Sequence, residues 1–146
     1  MHDAAYVLVV DDEPQIRALL CSVFDELGYP VRLAANGHDA LDIARTASPL
    51  LAVLDYMMPG WTGIDTAVQL RRSCGDDLPL ILMSAAAIPH RELQRLDAYL
   101  LVPKPFELDQ LAEAVEAAAS SRQPQPLIDR EHADVWRSTS EQEQTG

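Results

Sequence analysis

Tyr6-Val7-Leu8-Val9-Val10-Asp11-Asp12-Glu13-Pro14 sets the pattern of the chain. Five apolar residues in a row suit a strand covered on both faces. Two adjacent carboxylates end the run, and a proline stands where a first helical turn would begin. Ile16, Leu19, Leu20, Val23, Phe24 and Leu27 then recur at spacings of three and four, with Gly28 as the stop. The unit is a buried strand, an acidic loop and an amphipathic helix.

The same unit repeats. Residues 50–54, 78–83 and 99–102 are nearly continuous apolar runs, and 31–34 is a weaker strand. Asn36 suits the cap of a helix carrying Leu41, Ala44 and Ala47. Thr62 suits the cap of another carrying Ile64, Ala67, Val68 and Arg71, ending near Gly75. Leu108, Leu111, Ala112, Val115 and Ala119 make a last apolar stripe. Residues 88–97 hold only a short helix pattern, begun by Pro89 with Leu93 and Leu96 as a thin apolar edge. Five strand–helix pairs predict an α/β fold, a doubly wound parallel sheet with right-handed crossovers. Residues 1–120 form this one domain. From about residue 120 the composition turns to Ser, Gln, Pro and charged residues, so 121–146 is predicted to be a disordered tail, with one apolar patch at Leu127, Ile128, Val135 and Trp136.

A length of 146 residues allows a real core, and the formal net charge of -12 argues against non-specific binding to nucleic acid or anionic membrane. No run approaches membrane-spanning length, and the start lacks a signal-peptide pattern. Cys21 and Cys74 are far apart with no metal-ligand spacing, as for reduced thiols in a cytoplasmic protein. His2, His38, His90 and His132 are scattered and are read as surface or loop residues.

Ligands of such sheets bind beyond the carboxyl ends of the strands. Asp11 and Asp12 follow the first strand, Asp55 the third, Ser84 ends the fourth, and Lys104 follows the fifth. Lys104 is the single lysine among eleven basic residues. An ammonium is a compact charge that pairs with one anionic oxygen, unlike the forked guanidinium. Three gathered carboxylates repel one another unless a cation sits among them, and an all-oxygen set suits Mg²⁺. A carboxylate beside a hard cation, an ammonium and a hydroxyl is a site for a phosphoryl group, and the carboxylate itself can be the nucleophile. Duller readings exist for each group. Asp11 and Asp12 can cap a helix, Asp55 can sit in a turn, Ser84 can end a strand, and Lys104 can be a solvated charge.

Val9-Val10-Asp11-Asp12-Glu13-Pro14, then Asp55-Tyr56-Met57-Met58-Pro59 with Gly63, then Ser84-Ala85, then Lys104-Pro105-Phe106 together resemble the receiver domain of two-component response regulators. The resemblance runs from about residue 6 to 119. It implies a flavodoxin-like five-stranded sheet in the order 2-1-3-4-5. It implies that Asp55 takes a phosphoryl group from the phosphohistidine of a histidine kinase or phosphotransfer protein, with Mg²⁺. By position, Asp12 and Asp55 would be direct metal ligands, Asp11 would act through a water, and the Met57 carbonyl would be a further ligand. Ser84 would be the switch hydroxyl and Lys104 the phosphoryl-binding lysine. The implied partners are that donor, a downstream protein target and, through the fourth-helix, fifth-strand and fifth-helix face, a second copy. Neither nucleic acid nor membrane is expected, and no separate substrate, so the chain is not predicted to be an enzyme beyond its own phosphorylation chemistry.

With no effector pattern after Ala119, the expected form is a single-domain regulator acting by protein contact or phosphate relay. The stretch from Ser84 to Lys104 is about two residues shorter than the usual receiver spacing, and Leu101 stands where receivers carry an aromatic. A fourth helix that is short or mobile, and a modified output face, follow from that. Two other functions remain open. One is a receiver-shaped interaction module that is never phosphorylated. The other is an aspartate-nucleophile phosphatase, which would want an acid two residues past Asp55, where Met57 stands.

Overall fold

A computed structural model describes residues 5–121 of the chain. Its elements run β1 (Val7–Val10), α1 (Pro14–Leu27), β2 (Val31–Ala34), α2 (Gly37–Thr46), β3 (Leu51–Asp55), α3 (Gly63–Cys74), β4 (Leu80–Ser84), α4 (His90–Leu93), β5 (Leu100–Pro103) and α5 (Leu108–Ser121). All pairings are parallel and the order is β2-β1-β3-β4-β5, as the resemblance implied.

The two-residue period of a strand divides the core. Val7, Val9, Leu51, Val53, Ile81, Met83, Leu100 and Val102 face one side, against Leu20 and Phe24 of α1 and Leu111 and Val115 of α5. Leu8, Val10, Ala52, Leu54, Leu80, Leu82 and Tyr99 face the other, against Leu41 of α2, Ile64, Ala67 and Leu70 of α3, and Leu93 of α4. Strands covered on both faces are continuously apolar, which is why β1, β3 and β4 stand out in the sequence. β2 is an edge strand whose Arg32 and Leu33 are exposed, and its pattern is correspondingly weak.

The helix boundaries have local causes. Pro14 occupies the first turn of α1, and Gly28 ends it at φ 89°, a left-handed conformation that glycine adopts without a Cβ penalty. Asn36 Oδ1 accepts the Asp39 N–H at the start of α2. Thr62 and Asp65 form a reciprocal capping box on α3, each side chain accepting the other's backbone N–H. α4 spans just four residues, which agrees with the short helix expected there. Two apolar stripe positions are corrected. Leu19 and Leu108 are exposed, because the buried faces of α1 and α5 are carried by Leu20, Val23 and Phe24 and by Leu111, Val115 and Ala118. The predicted tail lies outside the described residues, apart from Ser121 at the end of α5.

Register brings the strand ends level. Val10 lies beside Leu54, Asp55 beside Met83, and Ser84 beside Pro103. The last residues of β3 and β4 and those just beyond β1 and β5 therefore meet on one edge.

Candidate functional site

Asp11 leaves β1 with its N–H still bonded to the Ala34 carbonyl, and its side chain is fully buried. Its Oδ1 accepts the Glu13 N–H at 2.9 Å. Its Oδ2 accepts from Lys104 Nζ at 3.1 Å. Arg17, one turn into α1, donates to the Asp11 carbonyl at 2.8 Å. The helix-capping reading of this pair is therefore not what is seen: the cap position of α1 belongs to Glu13, and no side chain caps it.

Asp55 is the last residue of β3 and only 4 % exposed. Lys104 reaches it from the end of β5, with Nζ 3.3 Å from Asp55 Oδ1 and 3.6 Å from Glu13 Oε1. The Lys104 backbone is pinned by its N–H to the Ser84 carbonyl at 2.9 Å. One ammonium thus faces three acids. Burial works against the charge on Lys104, but the hydrogen bond and charge of Asp11, then Asp55, outweigh it and hold its pKa above the ordinary value. Asp55 is pushed up to about 6, first by burial and then by the Asp11 charge, with Lys104 pulling the other way and Asp12 adding to the rise.

Asp12 is exposed and completes an acidic cluster. Ligand oxygens of Asp11, Asp12 and Asp55 all lie within 4.8 Å of one another. Mg²⁺ holds oxygens at about 2.0–2.1 Å and keeps several of its waters, so a cluster of this span suits it with a small side-chain adjustment or an intervening water. Burial first, and then the charges of Asp11 and Asp12, raise the Asp55 pKa, and Lys104 offsets them only in part.

Ser84 is placed differently. It ends β4 on the same edge, but its hydroxyl donates to the Ala86 carbonyl at 2.5 Å and accepts the Ala86 N–H at 3.2 Å, with no bond to Asp55 or Lys104. Met57 is 60 % exposed, two residues past Asp55. The loop between them and α3 is fixed by Gly63, whose N–H donates to the Tyr56 carbonyl at 3.0 Å. A Cβ there would come 2.5 Å from the Asp55 carbonyl oxygen and 2.9 Å from Tyr56 Cα, so glycine is required for the close approach.

Sequence reasoning placed Asp11, Asp12, Asp55 and Lys104 together, and they are together. It did not single out Glu13 or Arg17 as parts of the site. Their signal was position alone: Arg17 stands one turn inside a helix whose start is the acidic loop. It also missed Arg95, whose Nη1 is 2.9 Å from both Asp65 Oδ1 and Glu92 Oε1, tying the segment after α4 to the first turn of α3. Trp61, in the loop that follows Asp55, stacks on His38 with ring centroids 3.8 Å apart.

An acidic pocket at the carboxyl edge of a five-stranded 2-1-3-4-5 sheet, closed by a lysine from the last strand, defines the class. The family model of the response regulator receiver domain matches residues 7–116, and the chain belongs to that family. It is 40% identical over 115 residues to the response regulator MprA of Mycolicibacterium vanbaalenii, a match covering 76% of this chain and 48% of that protein. It is 38% identical over 123 residues to the MprA of Mycobacterium avium, covering 82% and 53%. The chain therefore spans about half the length of the curated relatives it matches. Among solved structures, it is similar to the chemotaxis protein CheY4 of Vibrio cholerae, with a TM-score of 0.73, 28% identity, and coverage of 80% of this chain and 99% of that one. It is also similar to the response regulator TrrA of Thermotoga maritima in complex with Mg²⁺ and BeF, with a TM-score of 0.67, 36% identity, and coverage of 77% and 97%. The chain is a receiver domain of two-component signalling. Among the described residues, no helix is long and apolar enough to cross a membrane.

Proposed function

We propose that Asp55 is the phosphoacceptor, loaded from the phosphohistidine of a histidine kinase or phosphotransfer protein. The observation that carries the reading is the Asp55 carboxylate itself. It is buried at the mouth of the sheet, faced by the Lys104 ammonium at 3.3 Å and flanked by Asp11 and Asp12. An Asp55 oxygen attacks phosphorus, the P–N bond to the donor imidazole breaks, and its electron pair stays on that nitrogen. The product is an aspartyl phosphate.

Asp12 and Asp55 would hold Mg²⁺ directly, with Asp11 through a water and the Met57 carbonyl as a further ligand. Bound there, the cation would offset the acids' repulsion and polarise the phosphoryl oxygens. Lys104 pairs with a phosphoryl oxygen in place of the Asp55 oxygen it now faces. Ser84 releases Ala86 and turns its hydroxyl to the phosphoryl group. Those contacts exist only in the phosphorylated form, so they bias the balance between two conformations. Met57 and the three alanines 85–87 offer no group to activate water, so the aspartyl phosphate is not unusually short-lived. The chain catalyses its own loading and has no separate substrate.

Output is a protein contact. Leu101 and Leu108, on β5 and α5, are exposed. This face suits a downstream target or a second copy. We place the receiver in the cytoplasm, where its donor works. Incubation with acetyl phosphate and Mg²⁺ should add one phosphoryl group to the peptide holding Asp55, and Asp55→Asn should abolish it. Label retained on that peptide in the variant would overturn the assignment.

A further inference from the structure

The helix α2 is tied to both sides of the acidic site. β2 leads into it, and the Ala34 carbonyl at the end of β2 accepts the Asp11 N–H at 3.1 Å. The start of α2 lies against the loop that leaves Asp55. Gly37 opens the helix, and a Cβ there would come 2.3 Å from Thr66 Oγ1 and 2.8 Å from Trp61 Cε3, so the approach needs glycine. Next in the chain, His38 lays its ring on Trp61, with centroids 3.8 Å apart and planes 25° from parallel.

Both rings sit on anchored backbone. Asn36 fixes the first turn of α2, where its Oδ1 accepts the Asp39 N–H at 2.8 Å and its Nδ2 donates to Asp39 Oδ2 at 3.2 Å. Trp61 directly precedes Thr62, the cap of α3. The bond from the Gly63 N–H to the Tyr56 carbonyl closes the loop between Asp55 and α3, and Met57 lies within it. His38 is exposed and Trp61 half-buried, so the stack lies at the surface. It adds little to the core. What it fixes is the loop.

We propose that His38 is a positioning residue for the ion site. Its ring holds Trp61, and through Trp61 the loop that carries the Met57 carbonyl. This rests on the function proposed above, in which that carbonyl is a ligand of Mg²⁺. A loop already held in place loses less freedom when the ion binds. By linkage, an ion that steadies the loop must steady the start of α2 to the same degree.

The full chain carrying Trp136→Phe keeps Trp61 as its one tryptophan and serves as the parent. Mg²⁺ is titrated against Trp61 fluorescence and against the NMR amide signals of Asp11 and Gly63. His38→Ala, at an exposed position, should raise the midpoint about two- to tenfold, the range that one aromatic pair allows. His38→Phe keeps a ring and should restore it. In the parent, Mg²⁺ should slow amide exchange at Asp39 and Ala40, and in His38→Ala it should not. Equal midpoints in the three chains would overturn the proposal and leave the ion site standing. A weakening that His38→Phe does not repair would overturn it too, as would exchange in α2 that ignores the ion. A parent unresponsive to Mg²⁺ in both signals would instead remove the ion site itself, and the role of His38 with it.

Discussion

The Lys104 ammonium lies 3.1 Å from Oδ2 of Asp11, and so the chain's single lysine is the counter-ion of a fully buried acid. Asp55, at 3.3 Å, shares the same cation. Removing the ammonium without another cation leaves both acids facing each other uncompensated.

Replacing that cation by an apolar side chain therefore leaves Asp11 and Asp55 buried without it. Lys104→Met should lower metal-free stability by about 3–5 kcal/mol, the usual scale for removing one partner of a buried pair. Mg²⁺ should recover part of the loss by filling the same role. Urea unfolding with and without the ion measures both effects.

The raised pKa of Asp55 makes stability depend on pH in a definite direction. The folded carboxyl titrates at about 6 against 3.8 ordinarily, so the folded chain holds this proton more tightly than the unfolded one. The wild-type stability relative to Asp55→Asn should thus be greatest in acid. It should decline as pH rises from about 4 to about 6 and stay level above. After allowance for solvent screening, the change is about 1–2 kcal/mol. Mg²⁺ favours the ionised form, so the ion should flatten the curve and should itself bind more weakly below about pH 6. Paired melts across this range, with and without the ion, would read both slopes.

Gly63 is a test of the loop. Gly63→Ala drives a Cβ against the Asp55 carbonyl and the Tyr56 backbone. Backbone cannot swing aside as a flexible side chain can, so the cost should be about 1–3 kcal/mol. The displaced loop should also weaken Mg²⁺ binding. A variant as stable as the wild type with unaltered ion affinity would show that the close approach carries no weight.

Arg71 offers a further check. Its Nε and Nη2 donate to the Leu78 carbonyl at 3.1 and 2.9 Å, and Nη2 also donates to the Ala98 carbonyl at 2.7 Å. Arg71→Met keeps the aliphatic stem but strips both carbonyls of their donor. A loss of about 1–3 kcal/mol is expected, with faster amide exchange at the starts of β4 and β5.

The half-exposed Arg95 should matter less. Arg95→Ala removes bridges to Asp65 and Glu92 at 2.9 Å, yet such pairs contribute roughly 0.2–1 kcal/mol each. The loss should shrink as salt is raised, and α3 should keep its capping box because Thr62 and Asp65 bond through backbone N–H groups.

Much of this was legible in the sequence because burial on two faces writes itself as unbroken apolar runs. β1, β3 and β4 were found that way, and with them the edge on which Asp11, Asp12, Asp55 and Lys104 meet. The edge strand β2 was faint because Arg32 and Leu33 face outward. Leu19 and Leu108 looked like core because three-and-four spacing marks a stripe without fixing its centre. Contacts made by long side chains across the fold were not legible. Arg95 to Asp65 and Arg71 to Ala98 depend on where helix ends arrive in space, and no local pattern records that. The Ser84 hydroxyl was expected to face Asp55, but it bonds to Ala86, a local alternative close at hand.

The single turn of α4 has a mechanical consequence. In a chain where Ser84 and Leu101 are joined mostly by loop, there is little rigid rod to tilt. On the function proposed above, an occupied Asp55 would draw Ser84 from Ala86, and the neighbouring strand β5 sets Pro103 beside Ser84 and the exposed Leu101 beside Leu82. The lever here is a hinge without an arm, and partners would sense a change of local suppleness more than a swing of a helix.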